Sequence, residues 1–214
     1  MTSRPVKARR TYDTRRRQQQ AAESRRAVLT AARQQLLSKG FAMTTVQSVA
    51  AEAGVSAEFV YKNVGPKGAL VAAVLDAAIG GDDEPVAQAQ RDSVTRLREL
   101  TSARGVLAGY VQVLMPVQER IAPLLVLAAQ SPDPAAAAAL TKADTERLTG
   151  MTALAHHLHR LGGLRADADP SRTRDVLWTS TSPHMYDLLV TRRGWLLPDY
   201  GNHVLDMLAA ALLD

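Results

Sequence analysis

The chain has 214 residues, a net charge of +5, an apolar fraction of 46% and no cysteine. That length suits a small domain plus a larger one with its own core, and the abundance of Ala and Leu points to an all-α protein. Without cysteine there is no disulfide, thiolate metal site or thiol nucleophile. With no apolar stretch behind the basic N-terminus, and Arg, Asp, Gln or Gly recurring throughout, the expected protein is soluble and cytoplasmic with no membrane partner.

Charge is unevenly placed. Of 26 basic and 21 acidic residues, 13 and 4 lie in residues 1–70, which leaves 13 and 17 in residues 71–214. Only the first part has the balance of a polyanion binder.

Residues 1–20 carry Arg4, Lys7, Arg9, Arg10, Arg15, Arg16 and Arg17 with almost nothing apolar, and are expected to form a basic, mobile arm. A first helix is predicted from about Ala21 to Ser38, burying Val28, Leu29, Ala32 and Leu36 and closing at Gly40. Thr44 and Gln47 form a capping-box pattern for a second helix starting near Thr45, with Val46, Val49, Ala50 and Ala53 inward. Ala50 is small enough for a close helix crossing, and Gly54 can take the positive φ of a tight turn. Ser56 caps a third helix, Ala57 to about Val64, with Val60 inward and Ala57, Glu58, Tyr61, Lys62 and Asn63 outward. This spacing is that of a helix-turn-helix, whose second helix suits a DNA major groove.

Gly65-Pro66 breaks the chain before a helix from Lys67 to about Ile79, and residues 80–85 read as a loop. Helices are then predicted over Val86–Leu100 and Val106 to about Met115, with Pro116 and Pro123 punctuating the route into Leu124–Gln130. Asp133-Pro134 starts a helical segment that either continues or breaks before Leu161, stopped by Gly162-Gly163. Ser171 to about Thr179, Pro183–Arg193 with Ser182 as cap, and Pro198–Leu213 follow. On the last two, Met185, Leu188 and Leu189, with Tyr200, Val204, Leu208 and Leu212 beside Leu205 and Ala209, form stripes suited to a two-fold helical bundle.

The run Arg26–Leu70 resembles the DNA-binding domain of TetR-family transcriptional regulators. The residues that carry the likeness are the opening helix Val28–Leu37, Gly40-Phe41, Thr44-Thr45, Ala53-Gly54-Val55-Ser56, Tyr61, and Lys67 with Leu70. Asn63-Val64 departs from the usual polar residue and phenylalanine, and Gly68 from a frequent acid. The arginine-rich lead-in and the tail from Ser182 are similar to an actinobacterial subgroup of that family. The resemblance implies an all-α fold: a helix-turn-helix DNA-binding domain over 21–80, with its motif at 45–64, then a helical effector-binding and dimerisation domain over 86–214. It implies a homodimeric regulator of double-stranded operator DNA, a repressor released by a small-molecule effector, and no enzyme. A ligand-independent architectural DNA binder and a helical enzyme are the alternatives.

Glu58 suits a cytosine amine, and Lys62 and Asn63 suit purine acceptors. Thr45, Ser56, Ala57, Tyr61 and Lys67 complete the expected DNA-binding set, with Thr45, Tyr61 and Lys67 on phosphates, and Arg15, Arg16 and Arg17 reaching an adjacent minor groove. In the second domain Tyr110, Met115, Trp178, His184, Met185 and Tyr186 are candidate effector-lining residues, each equally at home in a core. His156, His157 and His159 lack acidic or thiol neighbours within a turn, so no metal and no cofactor is expected. No catalytic constellation is visible.

Overall fold

The computed structural model describes the backbone of residues 7–81 and 91–214, with side chains from Arg17 onward except residue 18. Expectations for residues 1–6 and 82–90, and for the side chains of Arg15 and Arg16, lie outside the described residues. The helices are α1 (Lys7–Met43), α2 (Val46–Glu52), α3 (Ala57–Asn63), α4 (Lys67–Gly80), α5 (Asp92–Leu97), α6 (Ala103–Ala129), α7 (Pro134–Leu161), α8 (Pro170–Ser180), α9 (Pro183–Tyr186) and α10 (Leu197–Leu212). A π-helical turn, Asp187–Thr191, continues α9. No strand occurs among the described residues beyond an isolated bridge between Leu164 and Leu213. The chain packs as two compact units, Met1–Val74 and Leu75–Asp214, with the division falling within α4.

In the first unit α1 begins at Lys7, well before the expected Ala21, so the lead-in carries helical backbone where a mobile arm is expected. Arg, Gln and Ala between residues 15 and 26 are strong helix formers, and no Gly or Pro interrupts them. Gly40 sits at φ 78°, ψ 172°, so the regular helix ends where the sequence places its end. Val28, Ala32, Leu36, Val49 and Val60 are buried, together with Phe41, Ala50 and Leu70. Each fully buried Val or Leu contributes roughly 1.5–3 kcal/mol. Neither α2 nor α3, at seven residues each, is long enough to persist without that packing.

In the second unit α6 is the central helix, packed by α5, α7, α9 and α10, while α8 lies on α7 and α10. The prolines do not interrupt it. Pro116 is exposed, and the carbonyls that Pro116 and Pro123 leave without an intrahelical donor belong to Gln112 and Glu119, both exposed residues that water can reach. Burial of Val106, Leu107, Val111, Ile121, Leu124 and Leu125 outweighs the roughly 3 kcal/mol that each internal proline costs. By length and composition α6 is long and apolar enough to cross a membrane despite the Arg, Gln and Gly within it, but here it is the core helix of its unit.

Two of the remaining helices keep their expected caps, at Asp133 and Ser182, while α8 starts at Pro170 with Asp169 as a cap that sequence patterning does not name. Asp133 accepts from Ala135 N–H at 2.8 Å and α7 runs unbroken to Gly162, Asp169 accepts from the Ser171 and Arg172 N–H groups, and Ser182 from that of His184. The stripe expected to form a dimer seam is placed differently. Tyr200, Val204, Leu208 and Leu212 are buried in the protomer's own core because α10 packs on α6 and α8. Leu188 remains 53% exposed, and Trp195 and Leu196 are exposed beyond it.

Candidate functional site

The helix-turn-helix is assembled by local chemistry. Thr45, not Thr44, is the N-cap of α2: its hydroxyl accepts from Ser48 N–H at 3.0 Å, and Ser48 Oγ in turn accepts from Thr45 N–H at 3.1 Å. The expected cap is displaced by one residue because the Thr44 hydroxyl is buried and donates to the Gly40 carbonyl at 2.8 Å. Gly54, at φ 67°, makes the turn. Ser56 then caps α3, its hydroxyl accepting from Phe59 N–H at 3.1 Å.

Two residues of α1 hold this pair of helices in place. Gln35 is 2% exposed: its amide donates to the Ser48 carbonyl at 3.1 Å and to the Glu52 carboxylate, and its carbonyl accepts from Ser48 Oγ at 2.7 Å. Arg25 donates to the Asn63 carbonyl at 2.8 Å, satisfying a carbonyl at the C-terminus of α3. Neither is identified by sequence patterning. Gln35 could have been found as a polar residue next to Leu36 on the apolar stripe of α1.

With Val60 inward, α3 turns Glu58, Tyr61, Lys62 and Asn63 outward, Tyr61 being 48% exposed. Ala57 is half-buried beside them and Ser56 is exposed. Glu58 in the first turn and Lys62 in the last also complement the helix dipole. Asn63 is less available than expected, since its side-chain nitrogen donates to the Phe59 carbonyl at 2.8 Å. Tyr61 meets Gln47, whose side-chain nitrogen lies 3.5 Å from the phenol oxygen and brings an exposed amide of α2 to the same face. Sequence patterning assigns Gln47 only a capping role. Thr45 is exposed at the start of α2, Lys67 half-buried at the start of α4, and Arg17 exposed on α1.

In the second unit Met115 and Tyr186 are buried, with Tyr110, Trp178 and Met185 packed against the same core, whereas His184 is exposed near the Ser182 hydroxyl. Sequence patterning misses the polar groups in that core. Gln118 is 1% exposed and donates to the Thr181 carbonyl at 2.6 Å, and Arg147 stacks on the Trp178 ring at 4.5 Å and donates to the Trp178 carbonyl. Tyr200 is fully buried, edge-on to Tyr186 with centroids 5.5 Å apart. Gln118 was legible in principle, because it falls on the buried stripe of Val111, Met115, Ala122 and Leu125. Of the histidines, His159 meets the Thr173 hydroxyl at 3.0 Å, His157 faces Arg160 and His156 is exposed. No group of three metal-ligating side chains occurs among the described residues.

Residues 28–74 match the family model for bacterial regulatory proteins of the tetR family. No curated protein sequence matches the chain. Among solved structures, a protein described as a TetR-family transcriptional regulator from Rhodococcus sp. is 17% identical, with 88% of this chain and 98% of that one covered at a TM-score of 0.67. NalD, the secondary repressor of the MexAB-OprM multidrug efflux pump in Pseudomonas aeruginosa, is 18% identical over 91% and 98% at 0.67. The fatty acid degradation regulator FadR of Bacillus halodurans is 15% identical over 85% and 96%, also at 0.67. Residues 28–74 are therefore similar to the helix-turn-helix domain of the tetR family of bacterial regulatory proteins, and the chain as a whole has the all-α fold seen in solved structures of TetR-family regulators.

Proposed function

We propose that the protein is a cytoplasmic, homodimeric transcriptional repressor that binds operator DNA through α3 and is released when a small-molecule effector binds the second unit. The observation that carries this reading is the outward face of α3, where Glu58, Tyr61 and Lys62 stand on a helix fixed by the Ser56 cap, buried Val60 and the Arg25 bond, in the basic part of the chain. Glu58 and Lys62 read base edges; Tyr61, Thr45 and Lys67, joined by Gln47, hold phosphates; Arg15, Arg16 and Arg17 lie along the adjacent backbone or minor groove. The arginine-rich lead-in and the C-terminal tail support an actinobacterial-type branch of the family.

Two copies present two such helices to successive major grooves, roughly 34 Å apart. The exposed Leu188, Trp195 and Leu196 support a two-fold contact around the end of α9 and the start of α10. An effector that binds better to a form with the wrong helix spacing lowers operator affinity by its differential binding free energy. Selection from a random duplex library tests the reading. Enrichment of an inverted repeat is the expected result, and enrichment of no sequence over bulk DNA contradicts it.

A further inference from the structure

The core of the second unit holds more polar groups than it pairs. Gln118 Oε1, Trp178 Nε1, Arg147 Nε and Tyr200 Oη are buried without a hydrogen-bond partner within the protein. They belong to one neighbourhood. Gln118 reaches the Thr181 carbonyl at 2.6 Å, and Tyr110 interacts with Thr181 and with the Arg147 charge, while its hydroxyl lies 3.5 Å from Met151 Sδ. Arg147 covers Trp178, and Tyr200 feels Tyr186 and Tyr110. Burial pushes the Tyr110 and Tyr200 phenols above their ordinary value, so both are neutral hydroxyls at neutral pH.

A buried polar atom without a partner costs the whole of its lost hydration, so four in one core is an arrangement that folding alone disfavours. Their chemistry is asymmetric. Trp178 Nε1 and Arg147 Nε are donors in search of an acceptor, on a guanidinium whose Asp144 partner stands 3.7 Å away and is half exposed. Gln118 Oε1 is an acceptor in search of a donor, and Tyr200 Oη can serve either way. The same core contains the rings of Tyr186, Tyr200 and Trp178 and the thioethers of Met115 and Met151, and a thioether side chain is flexible enough to yield space to a flat apolar body.

Resting on the effector-released reading above, we propose that Gln118, Arg147, Trp178 and Tyr200 form the effector site and that its ligand is a hydroxylated aromatic carboxylate. The carboxylate is held at Arg147 and Trp178, the ring lies among the aromatic side chains, and the hydroxyl donates to Gln118.

Calorimetric titration of the full-length protein with 4-hydroxybenzoate, benzoate, phenol and cyclohexanecarboxylate tests this. The expected result is saturable binding of one 4-hydroxybenzoate per chain, with benzoate and phenol weaker by about tenfold each and cyclohexanecarboxylate weaker still. Arg147→Met removes the preference over phenol, and Gln118→Leu the preference over benzoate. Tyr200→Phe weakens binding while leaving the Tm of the unliganded protein unchanged or raised, because it deletes an unpaired hydroxyl; a merely structural hydroxyl would lower Tm instead. Absence of saturable binding by all four probes, equal binding by wild type and variants, or a lowered Tm for Tyr200→Phe overturns the assignment. Binding of 4-hydroxybenzoate without loss of operator affinity leaves the site and contradicts effector release. Operator release by other metabolites, with none of these acids bound, does the reverse.

Discussion

Replacing Gln35 by Leu removes three hydrogen bonds while nearly conserving volume: those to the Ser48 carbonyl and the Glu52 carboxylate, and that from Ser48 Oγ. Each is worth about 1 kcal/mol net, and Glu52, being exposed, recovers its hydration when released. The buried Leu returns about 1 kcal/mol of apolar transfer, so the net loss is about 2 kcal/mol, located at the α1–α2 contact and the Thr45 cap. Gln35→Ala forgoes that return and also leaves a hole, so it costs about 4 kcal/mol. Because the chain has two compact units, a single unfolding free energy is not the right quantity; hydrogen exchange of the α2 and α3 amides is. A loss of about 2 kcal/mol accelerates exchange there about 30-fold while α7 and α10 are unchanged. Exchange of the α2 amides within about twofold of wild type in Gln35→Leu refutes the claim that this buried amide holds the motif together.

Tyr61→Phe and Lys67→Ala should weaken binding to all duplexes by similar factors, whereas Glu58→Ala and Lys62→Ala change which operator variants are preferred; identical profiles across an operator library contradict this division. Removing residues 1–17 should lower operator affinity and flatten its salt dependence by about one unit of slope for each phosphate that the lead-in neutralises, and an unchanged slope disproves its role on DNA. Leu188→Lys, on an exposed position that leaves the protomer core intact, should give a monomer in sedimentation, and a persistent dimer moves the interface elsewhere. The backbone N–H groups of Arg172 and Ser171 hold the Asp169 carboxyl below its ordinary value. Its support of α8 is therefore complete above the ordinary carboxylate range, near about pH 4, and lost as pH falls through the lowered value. Asp169→Asn should blunt that acid loss, and an identical acid profile in the Asn variant counts against the cap.

Most of the backbone architecture is legible in the sequence because its signals are local. Ser56, Asp133 and Ser182 cap helices as their chemistry requires, and Gly40, Gly54 and Gly162 punctuate the chain where positive φ is needed. Failures come where tertiary context overrides a local rule. Pro116 and Pro123 read as breaks, yet α6 tolerates them because its core face is heavily buried and the residues whose carbonyls lose a donor, Gln112 and Glu119, are exposed. Thr44 reads as the cap, but burial diverts its hydroxyl to Gly40 and hands the role to Thr45. The α10 stripe reads as a subunit seam although it fills the protomer's own core, since periodicity reveals that a face is buried and not by which partner. Gln35, Arg25, Gln118 and Arg147 escape sequence reading for a related reason: their partners lie 13 to 63 residues away.

Hydroxyl-radical footprinting of the selected duplex with wild-type protein and with the double variant Glu58→Ala, Lys62→Ala tests most directly whether α3 reads the DNA. Wild type should protect two regions about one helical turn apart, and the double variant should lose its preference for that site over bulk DNA while keeping its fold. Unchanged protection and unchanged preference in the variant would show that sequence is read by another part of the chain.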